Sequence, residues 1–345
     1  MNRIGLDMGS SKVKAVEITE QVGLPKLVSY DISNIPPVSL YSESPADMAE
    51  LSHFLKDYLF SPKFTTTNVV VSIPESRVFT KIVEIPDLSG KELSESIKWE
   101  AQQYFPDSID DLSIHYQTLP RSEADKDTIK NKKEVLLVAV SKSMIAKYAD
   151  LLEQIGVNIC GMEPESMSVC RAVQNVGNVP VSLAINIGSD SSDIVIIEND
   201  VIRFTRTVST GTSALFRAIS QGIDLDEKKA ESYLASYGLD PSKLEGKIAK
   251  AVSPVFDIVL SEVKRSIAFF ESRKGGEKVG RIVLCGGGAI IPGSLSYITE
   301  QIGIEAEMAN PWRHLDMGNF LPKKDDLDIL GPLFVTAVGL ALKSA

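Results

Sequence analysis

Histidine and cysteine are scarce in this sequence, with three residues of each in a chain of 345. The cysteines are odd in number and share no short metal-ligand spacing, which gives a disulfide framework or a zinc site little support. The histidines accompany no nucleophile motif, so the sequence offers no Ser/His/Asp or Cys/His catalytic arrangement. A secreted disulfide scaffold and a serine or cysteine hydrolase are therefore disfavoured.

Positive charge and long apolar runs are also lacking. Lys and Arg number 36 against 46 Asp and Glu, a net charge of −10, so no general positive field exists to attract nucleic acid. No window reaches the ~18 uninterrupted apolar residues of a membrane span, and the first residues lead into a strand-like run rather than a secretory signal. We expect a cytoplasmic protein that does not bind nucleic acid and that reaches an anionic membrane only through a protein partner.

Length and composition indicate a folded protein. The chain is more than twice the typical domain size of about 150 residues. Its hydrophobic fraction of 43% and charged fraction of 24% are near the averages of soluble globular proteins. Two domains, or one large two-lobed unit, are therefore expected.

An internal repeat is the most informative feature of the sequence. The segments Ile4–Ser11 and Leu183–Asp190 each read as a short apolar strand that ends in an acidic or amide residue and turns at Gly-Ser. A β-branched strand follows each turn, so both copies are predicted to be β-hairpins whose turns expose backbone N–H groups. A third strand is expected after each hairpin. The superposed pairs are Asp7 with Asn186, Gly9 with Gly188, Ser10 with Ser189, Val16 with Val195, and Ile18 with Ile197.

Between the two copies, the sequence predicts a compact α/β unit that begins after Pro74. A helix capped by Ser44, with Pro45 at its first position, and a strand at Asn68–Ile73 precede this unit. The charged segment Arg121–Lys133 is predicted to be a mobile hairpin tip. The predicted elements of the unit are strands Val78–Ile85, Leu112–Thr118 and Glu134–Val140 and helices Ser89–Phe105 and Lys142–Ile155.

The C-terminal part combines helices with one glycine-rich turn. Ser253–Arg273 has the apolar spacing of a long amphipathic helix, and Leu333–Leu342 is predicted to be an apolar helix with small residues suited to close packing. Between them, the strand Arg281–Cys285 runs into three glycines and then into a helix at Gly293–Ile302. A strand, a glycine turn and a helix in this order let a ligand approach the backbone closely.

Two glycine-serine turns, one from each copy of the repeat, can hold a polyphosphate between them with backbone N–H donors. Asp7 is placed to hold Mg²⁺ through water, Lys14 can neutralise phosphate charge, and the glycine triplet would lie beneath a nucleoside. The sequence contains neither a P-loop nor the glycine fingerprint of a dinucleotide-binding fold. The predicted cofactor-binding residues are Asp7, Gly9, Ser10, Ser11, Lys14, Gly188, Ser189, Gly286, Gly287 and Gly288.

This order of motifs resembles the superfamily of actin, sugar kinases and Hsp70, whose members enclose ATP between two lobes. Shorter segments are similar to the PilM family, the actin-like proteins of type IV pilus assembly, and to their relative FtsA. The resemblance spans essentially the whole chain and implies an α/β, actin-like, two-lobed ATPase fold with an inserted small α/β subdomain. The segments that carry it are Ile73–Ser76, Val83–Pro86, Trp99–Pro106, Leu284–Ala289 and Ala309–Pro311.

On this fold, the chain divides into a first lobe, an insert and a second lobe. FtsA-like proteins usually continue into an amphipathic membrane helix, whereas this sequence ends at Ala345, so we expect a PilM-like protein. The expected divisions are residues 1–75 for the first-lobe core, 76–158 for the insert, 159–185 and 331–345 for the return to the first lobe, 186–211 and 278–330 for the second-lobe core, and 212–277 for a helical subdomain of the second lobe.

The resemblance implies a cytoplasmic ATP-binding scaffold that is peripheral at the inner membrane. PilM-like proteins hold the cytoplasmic N-terminal tail of a bitopic inner-membrane protein, PilN, in a groove between the insert and the first lobe, and so link the membrane complex to cytoplasmic motor ATPases. In this chain the groove is expected to involve the insert and the strand near Val69–Ile73. Self-association, which some actin relatives show, is left open.

The sequence departs from the family pattern at the positions associated with catalysis. Asn186 stands where the second phosphate motif normally carries Asp, and an amide cannot supply the charge that helps to hold Mg²⁺ or to orient a water molecule. Glu163 lies where the superfamily often places an acidic residue and is a candidate for part of that role. Leu234 stands where related proteins often have Lys near the base. We therefore expect binding of ATP and Mg²⁺ with slow or absent turnover.

The sequence is also compatible with three different functions on the same fold. A small-molecule kinase would need an acidic base in the cleft, and Asn186 removes one candidate. A nucleotide-free actin-like interaction module and an FtsA-like cell-division protein stay open as well. Nucleotide bound to the purified protein would distinguish the ATP-binding scaffold from the nucleotide-free module.

Overall fold

Each lobe is built on a five-stranded sheet, and the two sheets have matching topologies. The computed structural model describes residues 2–39, 42–104, 108–120, 132–174, 179–273, 277–318 and 329–344. In each sheet, a three-stranded antiparallel meander is followed by two parallel strands. The first sheet, in the order β3-β2-β1-β4-β8, contains β1 (Asn2–Met8), β2 (Lys12–Thr19), β3 (Lys26–Asn34), β4 (Asn68–Ile73) and β8 (Asn158–Pro164). The second, in the order β11-β10-β9-β12-β13, contains β9 (Val181–Ile187), β10 (Ser192–Glu198), β11 (Val201–Val208), β12 (Arg281–Gly286) and β13 (Ala306–Met308).

The repeat predicted from the sequence is present in the backbone. Both hairpins close with the same hydrogen bond, from the Gly9 N–H to the Lys12 carbonyl at 3.0 Å and from the Gly188 N–H to the Ser191 carbonyl at 2.9 Å. Both meanders also shift register at matching positions, where the second strand pairs with the third. These positions are Glu17 in β2 and Ile196 in β10.

Helices cover both faces of the first sheet. On one face, α1 (Pro45–Leu59) and α3 (Lys142–Ile155) share a buried apolar cluster with β1 and β4. On the other face, the C-terminal helix α9 (Val335–Ala341) comes so close that a Cβ atom at Gly5 would lie 2.0 Å from the Ala337 carbonyl oxygen. Gly5 is therefore the residue that lets α9 pack directly on the central strand.

In the described residues, the insert consists of a three-stranded sheet with one α-helix of its own. Its strands β5 (Val78–Pro86), β6 (Leu112–Thr118) and β7 (Lys132–Ser141) lie in the order β5-β7-β6, and α2 (Gly90–Tyr104) packs on one face. The opposite face contacts α4 (Glu165–Val173) and strands of the second lobe through Leu136 and Val138. Residues 121–131 of the expected hairpin tip lie outside the described residues.

Helix α3 packs with the first lobe, although the sequence-based division at residue 158 placed it in the insert. Its buried side chains Tyr148, Leu151, Leu152 and Ile155 belong to the apolar cluster under the first sheet. The separate unit of sheet and helix therefore ends with β7. We propose residues 76–141 as the inserted subdomain.

In the part of the second lobe that the structure describes, four α-helices share a buried cluster with its sheet. They are α5 (Thr212–Ile223), α6 (Glu227–Tyr237), α7 (Lys247–Arg273) and α8 (Ser294–Ile302). Helix α7 starts before the predicted Ser253 and continues through Pro254, because its buried stripe extends to both sides of the proline, at Val252 and Phe256. Leu234 is buried in the same cluster. None of the described helices is both long and apolar enough to cross a membrane.

Candidate functional site

The first hairpin carries a largely buried ion pair at the end of β1. Asp7 and Lys14 lie directly opposite each other in the β1–β2 register, and the Lys14 Nζ atom is 2.6 Å from Asp7 Oδ2. The Ser72 hydroxyl lies 3.5 Å from the other carboxylate oxygen, and Asp7 is only 4% exposed. At the turn beside this pair, Ser10 and Ser11 are exposed. The predicted phosphate hairpin therefore has a buried charged base and an open turn.

The turn of the second hairpin is fixed on the N-terminus of α5. The carbonyls of Gly188 and Ser189 accept hydrogen bonds from the N–H groups of Thr212 and Ser213 at 3.0 and 2.9 Å. The hydroxyls of Ser189 and Ser213 are also 2.9 Å apart. At Gly211, a Cβ atom would lie 2.4 Å from the Ser189 carbonyl oxygen, so only glycine permits this approach. The second turn is thus held rigid by the helix, which preorganises it for a ligand.

A carboxyl group that sequence analysis missed lies at the base of the second hairpin. Asp193 on β10 is opposite Asn186 in the register with β9, is 5% exposed, and accepts a hydrogen bond from the Thr207 hydroxyl at 2.7 Å. Burial raises the pKa of Asp193 to about 6, while the hydrogen bonds from Thr207 and Glu165 lower it. The signal was present in the repeat, because the superposition of Asp7 on Asn186 also superposes Lys14 on Asp193.

Two further acidic residues extend this group across the cleft. Glu165, the first residue of α4, donates a hydrogen bond to Asp193. Burial raises the pKa of Glu165 well above its usual range. The nearby charges of Asp193, Asp7 and Glu75 raise this pKa further, whereas the charge of Lys14 lowers it. Since the charges of Asp7 and Asp193 both raise the pKa of Glu165, the bases of the two hairpins lie close to the start of α4.

Glu75 lies at the junction between β4 and the insert. It is 5% exposed, and it accepts a hydrogen bond from the Ser166 N–H at 3.1 Å and lies 3.4 Å from the Thr80 hydroxyl. Burial raises the pKa of Glu75 to about 7, and the Asp193 charge acts in the same direction. The four carboxyl groups of the cleft therefore come from separate segments of the chain, and Lys14 contributes a positive charge beside them.

Glu163, the acidic residue chosen from the sequence, has a different environment. Its two carboxylate oxygens form ion pairs with Arg171 at 2.7 Å and with Lys343 at 3.0 Å, and the side chain is 3% exposed. Arg171 also donates to the Gly339 carbonyl on α9 at 2.5 Å. Glu163 thus joins β8, α4 and the C-terminal segment, and we infer a structural role for it. The residue that faces the cleft is Glu165, two positions later.

The three glycines at the end of β12 differ in the space around them. A Cβ atom at Gly286 would lie 2.4 Å from the Ile187 carbonyl oxygen, and one at Gly288 would lie 2.3 Å from the Ile187 side chain. Gly286 also has a φ of +75°, which disfavours other residues. A Cβ atom at Gly287 would meet nothing within 4 Å. Two of these glycines therefore allow close packing on β9, and only Gly287 borders open space that a nucleoside could fill.

The donor set of the cleft fits a complex of a polyphosphate with a hydrated cation. Two turns present backbone N–H groups, Lys14 presents an ammonium group, and the cleft contains buried carboxyl groups whose ionised form a cation would favour. Among the described residues, no group of three or more His, Cys, Asp and Glu side chains could hold a metal ion. Mg²⁺ usually keeps several waters and uses one or two carboxylates, so Asp7 and Asp193 fit as residues that bind its waters.

A match to a protein-family model shows the family of this chain. The model described as type IV pilus assembly protein PilM matches residues 5–345. The chain belongs to the PilM family. Among solved structures, the PilM-PilN type IV pilus biogenesis complex contains a chain that is 24% identical, with a TM-score of 0.84 and coverage of 99% of this chain and 97% of that one.

Two more distant similarities relate this chain to other proteins, the first through its fold and the second through its sequence. The MreB 5 structure of Spiroplasma citri bound to AMPPNP is 14% identical with a TM-score of 0.54, over 98% of this chain and 94% of that chain. The cell division protein FtsA of Streptococcus pneumoniae is 21% identical over 197 residues, or 51% of this chain. The match spans 42% of the length of that FtsA. The expected two-lobed actin-like fold is confirmed.

Proposed function

We propose that this member of the PilM family is a nucleotide-binding scaffold of type IV pilus assembly. In this proposal it holds the cytoplasmic tail of a bitopic inner-membrane protein of the PilN kind and is peripheral at the membrane through that partner. The observation that carries the proposal is the match of the PilM model to residues 5–345. The overall similarity to the PilM-PilN structure supports the choice of partner.

Mg²⁺-ATP is the ligand proposed for the cleft. The turns at Gly9 and Gly188 would bind phosphate oxygens through backbone N–H groups, and Lys14 would add a positive charge. Asp7 and Asp193 would accept hydrogen bonds from the waters of Mg²⁺, which would supply charge compensation for the phosphates. Gly287 would lie against the nucleoside.

The case against hydrolysis is weaker than the sequence indicated. It rested on the amide at Asn186, which cannot provide a negative charge. The structure has the Asp193 carboxyl group directly across the strand pair from Asn186, so the second hairpin still brings a carboxyl group to the cleft. The presence of Asn186 is therefore not sufficient reason to propose that turnover is absent.

The partner surface needs one revision. Val69 to Ile73 was expected to line the groove, but β4 lies between β1 and β8 and its apolar side chains are at most 3% exposed. We propose instead that the insert provides the apolar contacts for the tail. Among its described residues, the exposed large apolar side chains are Phe79 at 36%, Trp99 at 61% and Tyr116 at 44%. A connection to cytoplasmic motor ATPases remains part of the proposal.

Asp193→Asn tests the proposal that the cleft binds Mg²⁺-ATP. The change keeps the shape of the side chain and its bond to Thr207 but removes the charge that would face the waters of Mg²⁺. We expect the affinity for Mg²⁺-ATP, measured by titration calorimetry, to fall at least about tenfold, or about 1.4 kcal/mol. The affinity for ATP in EDTA should change little.

The matched control for this test is Asp57→Asn, an exposed position on α1, which should bind Mg²⁺-ATP like the unchanged protein. Phosphate release measured on the same samples reports turnover. An Asp193→Asn protein that is folded and binds Mg²⁺-ATP as tightly as the control would refute the assignment of this cleft.

A further inference from the structure

An ion cluster joins the insert to the second lobe. Arg203 on β11 donates from Nη1 to Glu134 Oε2 on β7 at 2.8 Å, and its Nη2 atom donates to the Pro120 carbonyl at 2.8 Å. Its Nε atom is 2.7 Å from Glu198 Oε2 on β10. Arg203, Glu134 and Glu198 are 5%, 7% and 1% exposed. One guanidinium group thus connects two strands of the second lobe with a strand and the adjoining loop of the insert.

Apolar packing surrounds these ion pairs. Leu136 and Val138 on β7 share one buried cluster with Ile197 and Ile202 of the β10–β11 hairpin. Val78 and Ile82 of β5 pack against the same cluster. The insert therefore shares a buried apolar interface with the second lobe, although the chain enters the insert from the first lobe after β4.

The position of β10 relates this interface to the cleft. Asp193 lies near the start of β10, at the base of the second hairpin, and Glu198 is the last residue of the same strand. A strand of seven residues is a stiff element in the middle of a hydrogen-bonded meander. A displacement of the second hairpin would therefore move the Arg203 cluster along with it.

We propose that the insert moves with the second lobe, so that closure of the lobes on a nucleotide shifts the insert relative to the first lobe and changes the groove that holds the partner's tail. The proposal rests on the proposed function for the identity of the ligand and of the groove. A buried ion cluster suits this role, because its geometry is demanding and fixes one docking arrangement more strictly than apolar contacts alone.

Spin-label distances in the protein without nucleotide test whether the insert is attached to the second lobe. Labels at Glu95→Cys on α2 and Arg265→Cys on α7 report the distance between insert and second lobe, and Cys160→Ser removes the exposed native thiol. We expect a narrow distance distribution that Glu134→Gln broadens. The control is Glu84→Gln, because Glu84 is the cross-strand neighbour of Glu134 and pairs with Lys132 at the surface. Equal widths in both folded variants would overturn the attachment.

Distances measured after addition of Mg²⁺-ATP test whether the insert moves relative to the first lobe. A label at His53→Cys on α1, which is exposed, reports the distance between insert and first lobe when it is combined with Glu95→Cys. We expect this distance to shift on nucleotide binding while the Glu95–Arg265 distance stays constant. A shift only in the Glu95–Arg265 distance, or no shift in either, would overturn the movement.

Calorimetry on the labelled proteins separates this proposal from the proposed function. Absence of Mg²⁺-ATP binding would count against the proposed nucleotide site. The attachment of the insert to the second lobe would still be judged by the widths of the distance distributions measured without nucleotide. Binding of Mg²⁺-ATP without a change between insert and first lobe would count against the movement alone.

Discussion

At the scale of single residues, the cleft is defined by carboxyl groups that lack enough neighbouring positive charge. Asp7 is paired with Lys14, whereas burial raises the pKa values of Glu75, Glu165 and Asp193. Neighbouring acidic residues raise the pKa values of Glu75 and Glu165 further. A cation close to such groups favours their ionised form. The cleft therefore has the electrostatic character of a site that accepts a cation, such as the Mg²⁺ that accompanies ATP.

The sequence identified some of these residues and missed others for specific reasons. Asp7 was found because it ends a strand directly before a Gly-Ser turn. Asp193 was missed because it lies within the returning strand, where one acidic residue among apolar ones is unremarkable. Glu163 and Glu165 are separated only by Pro164, and sequence alone did not show that β8 ends and α4 begins between them.

Glu163→Gln tests the structural role assigned to Glu163. The change leaves Arg171 and Lys343 without their carboxylate partner, but both cations are partly exposed. We therefore expect the free energy of unfolding to fall by about 1–3 kcal/mol, below the range for fully buried pairs. Denaturant unfolding measures this change, and calorimetry should find the affinity for Mg²⁺-ATP unaltered in the folded protein. A loss of nucleotide affinity with stability unchanged would favour the catalytic assignment instead.

At the scale of elements, the two meanders repeat in sequence, in turn geometry and in the position of their irregularities. The hairpins, α1 with its Ser44 cap and the strands of the insert were predictable because their signals are local. The sequence also indicated that small residues let the C-terminal helix pack closely. It did not show that Gly5 on β1 is the position they approach, because that contact joins opposite ends of the chain.

Gly5→Ala tests the packing of α9 on β1. The added Cβ atom would lie 2.0 Å from the Ala337 carbonyl oxygen and 2.5 Å from the Ala341 nitrogen, so the helix backbone itself would have to move. We expect a loss of about 3 kcal/mol or more in the free energy of unfolding, beyond ordinary overpacking. In the control Gly222→Ala on α5, the added Cβ atom makes an ordinary 3.5 Å contact, and helix propensity predicts a gain of about 0.5–1 kcal/mol. Equal stability of the two variants would contradict this packing.

At the scale of the whole molecule, two lobes of matching topology enclose a charged cleft, and a small subdomain contacts both of them. The repeat in the sequence predicted the two lobes, and the intervening elements predicted the subdomain. The sequence did not predict that α3 joins the first lobe or that Arg203 ties the insert to the second. Both depend on contacts between segments far apart in the chain, such as Arg203 with Glu134, for which a single sequence contains no periodic signal.

The central claim is that this PilM-family protein holds a membrane protein by its cytoplasmic tail. The most direct measurement is affinity capture of the tagged protein from detergent-solubilised cells, with and without Mg²⁺-ATP, followed by mass spectrometry of the retained proteins. The account predicts recovery of a single-span PilN-like protein beside other pilus components, and loss of that protein when its cytoplasmic tail is deleted. Recovery of no membrane protein, or equal recovery of the tail-deleted partner, would contradict it.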